Sequence, residues 1–298
     1  MTPSPPSTQR RARPRPRGAP VCRPARRSSR PPLPPSPAPR SPAPRPPPGS
    51  PIPRAYRVGL TPNGRRACGA PRARHGRAMP SEEQQVESVR DLFDAWARKG
   101  RDEGMEEGHG FAAREAFRRL GVAPGQHYLD VGCGNGYSVR WAADVDPSVS
   151  AVGLDVSPEM IAKARAKTPQ PNARFIHAPF PLPLLKAKTF HAIFSMEVFY
   201  YLPDLTWGIL SAARLLVPGG LFACVVDYYE ENAASHGWPE DVGVAMHRLS
   251  EAGWRAAMEE VGLEVVEQAR LRPPLAEGEA PSWKQTEGSL LTLARRPG

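Results

Sequence analysis

The residues best suited to chemistry stand together at 129–136, Leu129-Asp130-Val131-Gly132-Cys133-Gly134-Asn135-Gly136. An apolar run that ends in an acid and three alternating glycines reads as a β-strand delivering the chain to a ligand. Glycine supplies positive φ angles and a bare backbone that a ligand can approach. The spacing argues against a dinucleotide loop: G-x-G-x-x-G counted from Gly132 and Gly134 needs glycine at 137, where Tyr137 stands. Asp130 would also set a carboxylate beside a pyrophosphate, a contact between like charges. A cationic ligand with an amino-acid end suits that carboxylate better. Cys133, inside the loop, reads as a small space-filler rather than a nucleophile.

A second acid follows at the right distance. The predicted strand Val149–Leu154 ends at Asp155, 19 residues beyond Gly136. Nucleotide-binding α/β units present an acid to ribose hydroxyls about 20 residues after the loop. A carboxylate can accept from the 2′ and 3′ hydroxyls together. The competing role, capping the next helix, is already filled by Ser157 with Pro158 at the first helical position.

With these residues in place, the chain resembles the class I S-adenosylmethionine-dependent methyltransferases, in the small type 11-like group whose first motif reads D-x-G-x-G-x-G. Asp130, Gly132, Gly134 and Gly136 fill that motif. The resemblance implies a Rossmann-like, doubly wound seven-stranded α/β sheet, mostly parallel with an antiparallel final strand and helices on both faces. It implies S-adenosyl-L-methionine as cofactor, with Asp155 on the ribose and Val156 against the adenine. After the third strand the family usually carries an acid for the adenine amino group. Here His177-Ala178-Pro179-Phe180 stands instead, so a contact at Ala178 falls to the backbone or is absent. Leu182-Pro183 and Thr189–Phe194 resemble the family's L-P-F…S-F-D stretch, with His191 where Asp is usual, and Val217-Pro218-Gly219-Gly220 resembles its K-P-G-G turn.

Further elements position these residues. Ser81 and Gln84 have capping-box spacing ahead of a helix through Val89, Leu92, Phe93 and Trp96. Gly100–Gly110 reads as a polar, glycine-interrupted loop before a helix from Phe111 to Gly121. Strands are expected at His127–Val131, Arg174–His177, Ala192–Ser195 and Leu221–Val226. Helices are expected at Tyr137–Ala143, Pro158–Lys167 and Leu205–Leu216, and around 250–261. Leu263–Leu271 and Ser289–Arg295 read as an antiparallel final pair. Because ligands of doubly wound sheets sit beyond the strands' carboxyl ends, Ser195 and Met196 should face the methionine part of the cofactor. Asp227–His247, rich in aromatics, histidines and acids, reads as a cap over the acceptor (227–248 overall). The side chains to test for catalysis are Glu197, Tyr200, His236 and His247, each with a competing structural or pocket-lining role. No metal site is expected, because His236 and His247 lack carboxylates at ligand spacing.

Composition divides the 298 residues in two. Residues 1–80 hold 18 of the 40 Lys and Arg, no acid and 23 of the 38 prolines, leaving 22 bases against 30 acids afterwards. The net charge of +10 therefore belongs to the first segment, and the remainder is acidic. Residues 1–79 are expected to be a disordered Arg/Pro-rich tail, and 80–298 the methyltransferase domain. Three readings of the tail compete: a basic arm for nucleic acid or membrane surfaces, a transit peptide, and a gene-model extension ending at Met79. Four cysteines without a C-x-x-C pair suggest neither disulfides nor zinc. No apolar run reaches ~18 residues, and cytosol is the default compartment.

These features favour methyl transfer to a small molecule, since binding a large nucleic acid demands clustered Lys and Arg that the body lacks. The alternatives are an RNA or protein methyltransferase using the tail as its basic arm, and a non-catalytic S-adenosylmethionine-binding protein. An NAD-dependent oxidoreductase comes last, on the spacing of the loop.

Overall fold

The computed structural model describes residues 80–298 except 276, 277 and 279. All of them belong to one compact unit, Ala73–Gly298. The expected tail, 1–79, lies outside the described residues.

Two helices precede the sheet. Helix α1 (Glu82–Arg98) opens on the Ser81/Gln84 capping box, with both reciprocal bonds formed. Helix α2 (Arg101–Leu120) corrects the sequence expectation, because 101–110 is helical and not a loop. Interior glycines cost about 1 kcal/mol each in a helix, but tertiary bonds hold this stretch. Asp102 is buried and pairs with Lys163 and Lys167 at 2.8 and 3.1 Å. Glu106 accepts from Asn135 Nδ2 at 2.9 Å. Farther along, Ala112, Ala113 and Ala116 give α2 a flat buried face.

The chain then alternates β1 (His127–Val131), α3 (Tyr137–Val145), β2 (Ser150–Asp155), α4 (Pro158–Lys167), β3 (Ala173–His177), β4 (Phe190–Met196), α5 (Leu205–Leu215) and β5 (Leu216–Val226). It finishes with α6 (Trp238–Val242), α7 (Glu251–Glu260), β6 (Glu264–Leu271), α8 (Trp283–Thr286) and β7 (Ser289–Arg295). The strand order is β3-β2-β1-β4-β5-β7-β6. Strand β7 runs antiparallel to both neighbours, and the other pairings are parallel. Pro218-Gly219-Gly220, expected to precede β5, instead falls within it, beside a register shift between Phe190 and Ala192.

Central strands are buried on both sides, as the near-continuous burial of 128–131 and 192–196 shows. Helices α2 and α3 pack one apolar layer, including Val139 and Ala142, against the sheet. Helices α5 and α7 contribute Ile209, Trp254 and Met258 to the other. The topology fixes where a ligand can enter. The chain leaves β1 toward β2 and β3, then returns on the other side as β4, so the loops after β1 and β4 diverge and leave a crevice. No helix among the described residues is long and apolar enough to cross a membrane.

Candidate active site

The loop after β1 is held by its neighbour strand. The amides of Gly132 and Cys133 both donate to the Leu154 carbonyl oxygen, at 2.7 and 3.0 Å. Gly132 and Gly136 adopt φ of 76° and 84°, and neither has room for a side chain. A Cβ on Gly132 would stand 2.1 Å from Val198 Cγ2, and one on Gly136 2.8 Å from the Phe175 ring. Gly134 also has positive φ, but no atom lies within 4 Å of where its Cβ would be. Gly132 and Gly136 therefore permit packing, while Gly134 presents naked main chain to open space.

Asp155, at the end of β2, completes this floor. Its Oδ2 accepts from the Gly134 amide and its Oδ1 from the Ser157 amide, each at 2.8 Å. Ser157 meanwhile caps α4 through Met160 N, as the sequence suggests. Burial pushes the Asp155 carboxyl up to about 6 against the lowering effect of the two amides.

Asp130 is set back from the cavity. It is 2 % exposed and is not part of the cavity wall. Ser138 Oγ donates to its Oδ2 and in turn accepts from Tyr128 OH at 2.9 Å. Burial pushes the Asp130 carboxyl up to about 7. Ser195 and Gly136 likewise lie behind the wall, with Ser195 Oγ donating to the Val131 carbonyl oxygen at 2.9 Å. The remaining expected cofactor residues, Gly132, Cys133, Gly134, Asp155, Val156, Ala178 and Met196, all line one cavity of about 440 Å³.

Aromatic rings close that cavity. Phe93 and Trp96 of α1, unassigned from sequence, line it, and Phe93 meets Tyr201 edge-on at 5.6 Å. Trp238 of the expected cap also lines it and meets Trp283 of α8 at 5.9 Å, nearly perpendicular. Helix α8 was not legible, being only four residues long.

The polar part of the cavity joins residues far apart in sequence. Glu197 follows β4 at φ 62°. Its Oε2 accepts from Tyr200 OH at 2.6 Å and its Oε1 from the Asp227 amide. His109, Glu197 and Asp227 each offer a ligand atom within 4.8 Å of the others. Burial raises both carboxyls and, with the Lys284 charge adding to it, lowers the His109 imidazole to about 4. The sequence does not single out His109 or Asp227, because the first falls where 100–110 reads as a loop and the second at the start of the expected cap. Of the proposed catalytic side chains, Glu197 and Tyr200 line the cavity, whereas His236 and His247 do not. Their Nε2 atoms donate to the carbonyl oxygens of Glu230 and Leu202, both at 2.8 Å, which makes them braces of the surrounding backbone.

Comparison with known proteins agrees with this geometry. Residues 129–224 match the family model described as a methyltransferase domain. A Haloferax volcanii protein, solved as the putative methyltransferase in a complex with the Trm112 methyltransferase activator, is 37 % identical. That likeness covers 69 % of this chain and 98 % of the other, with a TM-score of 0.63. The chain belongs to the class I S-adenosylmethionine-dependent methyltransferases. The methyltransferase is also similar in fold, at 18 % identity and a TM-score of 0.57, to the Burkholderia thailandensis 1,6-didemethyltoxoflavin-N1-methyltransferase. There the likeness covers 74 % of this chain and 93 % of a structure with bound S-adenosylhomocysteine. A rice (Oryza sativa subsp. japonica) cycloartenol-C-24-methyltransferase 1 is 30 % identical over 170 residues, 51 % of this chain and 49 % of its own length. The methyltransferase spans about half the length of the curated relatives it matches.

Proposed function

We propose that this methyltransferase acts on a small, largely apolar acceptor bound between the aromatic cap and the glycine loop. The observation that carries the reading is a single cavity lined both by Gly134 and Asp155 and by Tyr200, Trp238 and Trp283. The residues present fit S-adenosylmethionine. Gly134 has open space where a Cβ would stand, and its amide is hydrogen-bonded to an acid that still has lone pairs to offer. When bound, the cofactor supplies an electrophilic methyl group on a sulfonium sulfur.

In this reading the backbone of Gly132, Cys133 and Gly134 holds the amino-acid part, Asp155 the ribose hydroxyls, Val156 and Ala178 the adenine, and Met196 the methionine end. Asp130, Gly136 and Ser195 act indirectly, by bracing the loop. The chain's task is alignment, since holding two reactants in line supplies about 7–11 kcal/mol of barrier lowering. Apolar rings exclude water and favour a flat acceptor, while Glu197 with Tyr200 offers a polar contact. Residues 80–298 form the catalytic domain and 227–248 the cap. An acidic body argues against a phosphate polymer as acceptor, and the rice relative is named for a small-molecule acceptor, cycloartenol.

The test is turnover of a metabolite extract by the full chain, read as S-adenosylhomocysteine released, with Asp155→Ala as control. Cofactor binding without turnover on any fraction would favour a non-catalytic protein. A second reading rests on the 18 arginines of residues 1–80, which would serve as an arm for RNA or a protein substrate. Deleting residues 1–78 leaves activity and binding unchanged on the small-molecule reading and removes both on the other.

A further inference from the structure

The His109, Glu197 and Asp227 cluster comes from three elements that the fold brings together: the middle of α2, the turn after β4 and the turn after β5. All three residues line the cavity. Glu197 is already engaged on both oxygens, by Tyr200 OH and the Asp227 amide, so its carboxylate is fixed in place. Asp227 differs. It is 1 % exposed, and its Oδ1 has no hydrogen-bond partner among the described residues. A buried carboxylate oxygen left unpaired costs about 1–3 kcal/mol, more when charged, and nearly all such atoms find a donor. The carboxyl group that carries it has a ligand atom within 4.8 Å of one on the His109 imidazole and one on the Glu197 carboxylate.

Lys284 also lines the cavity, and its Nζ is tied to the carbonyl oxygen of Gly108, the residue before His109.

We propose that His109, Glu197 and Asp227 form a three-ligand site for a divalent transition-metal ion, with its open coordination positions turned to the cavity. The donor set selects the ion class: imidazole suits transition metals, carboxylates suit harder cations, and one imidazole with two carboxylates fits Mn²⁺, Fe²⁺ or Zn²⁺ better than Ca²⁺. Bonds of about 2.1 Å place three ligand atoms about 3.0–3.6 Å from one another around a shared metal, so side-chain atoms within 4.8 Å of one another draw in by up to about 1–2 Å on binding. The open positions would take an oxygen of the acceptor, which fixes its orientation toward the methyl donor. That role rests on the small-molecule reading above, whereas ion binding itself does not.

The experiment is calorimetric titration of the full chain with MnCl₂, and separately with ZnCl₂, supported by the Mn²⁺ paramagnetic resonance signal. The same samples are titrated with S-adenosylhomocysteine. One bound Mn²⁺ or Zn²⁺ per chain is expected, weakened at least tenfold by Asp227→Asn and by the milder, helix-borne His109→Gln. Affinity for S-adenosylhomocysteine should stay within about twofold in both variants, which also reports that they are folded. No ion bound by the wild type, or an ion bound equally well by both variants and so seated elsewhere, would overturn the proposal. Loss of S-adenosylhomocysteine binding by the wild type would instead count against the methyltransferase reading, independently of the metal.

Discussion

One hydrogen bond joins Gly134 to Asp155, from the Gly134 amide to Oδ2 at 2.8 Å, across 21 residues of sequence. It ties the tip of β1 to the tip of β2, so the acid expected to hold the ribose also sets the shape of the loop. Replacing it should therefore remove a ligand contact and loosen the floor together. Asp155→Ala is expected to lower S-adenosylhomocysteine affinity at least a hundredfold by calorimetry. Asp155→Asn, which keeps one acceptor oxygen, should lose less. Both should remain folded by circular dichroism, because the two lost amide bonds, about 1 kcal/mol each, are partly offset by relief of a buried charge.

The glycines separate by what surrounds them. Gly132→Ala and Gly136→Ala each combine an unfavourable positive φ, about 1–2 kcal/mol, with overpacking against Val198 or Phe175, about 1–3 kcal/mol. Urea unfolding should show a loss of about 2–5 kcal/mol for both. Gly134→Ala carries only the backbone cost, since its Cβ meets open space, yet it puts a methyl group on the floor proposed for the cofactor. It should unfold within about 2 kcal/mol of wild type and lose most of its cofactor affinity. Equal destabilisation by all three would contradict the division.

Much of this was legible because local signals and topology agree. The alternating glycines, Asp155 and the Ser157-Pro158 start of α4 all lie where a parallel βαβ unit requires them, and the strand order follows. What was not legible depends on partners distant in sequence. The glycines at 104, 108 and 110 argue locally for a loop, whereas partners brought over from elsewhere in the chain, among them Lys163, Lys167, Asn135, Arg140 and Lys284, hold 101–110 helical. With that stretch misassigned, His109 could not be placed beside Glu197. Asp130 is the opposite case: the motif position suggests a ligand contact, and the side chain turns toward Ser138 at the start of α3.

That orientation gives Asp130 a pH signature. Burial pushes its carboxyl up to about 7, against a value near 3.8 for an exposed aspartate. Between those two values the unfolded chain has released the proton and the folded chain keeps it. The unfolded state then binds fewer protons, and stability falls as pH rises, levelling above about 7. The full gap corresponds to at most about 4 kcal/mol. Asp155, pushed up to about 6, adds in the same direction. The urea midpoint of ligand-free protein should drop between pH 5.5 and 8, and the drop should shrink in Asp130→Asn. A midpoint that rises over this interval in the wild type would refute the assignment.

His247 offers the cleanest separation of bracing from catalysis. Its amide donates to the Tyr200 carbonyl oxygen and its Nε2 to that of Leu202, both at 2.8 Å. Gln85 Nε2 makes a parallel pair of bonds, to the carbonyl oxygens of Tyr201 at 3.0 Å and Ala245 at 2.8 Å. Together these four bonds clasp the end of the cap to the turn that carries Glu197 and Tyr200. His247→Ala leaves the backbone bond intact and strips a donor from the carbonyl of Leu202, which is 7 % exposed. The cost should be about 1–3 kcal/mol in urea unfolding. Because the imidazole does not reach the cavity, S-adenosylhomocysteine affinity should be unchanged, and the rate at a temperature well below unfolding should keep its pH profile. A variant of normal stability whose rate has lost an ionisation would return His247 to the chemistry.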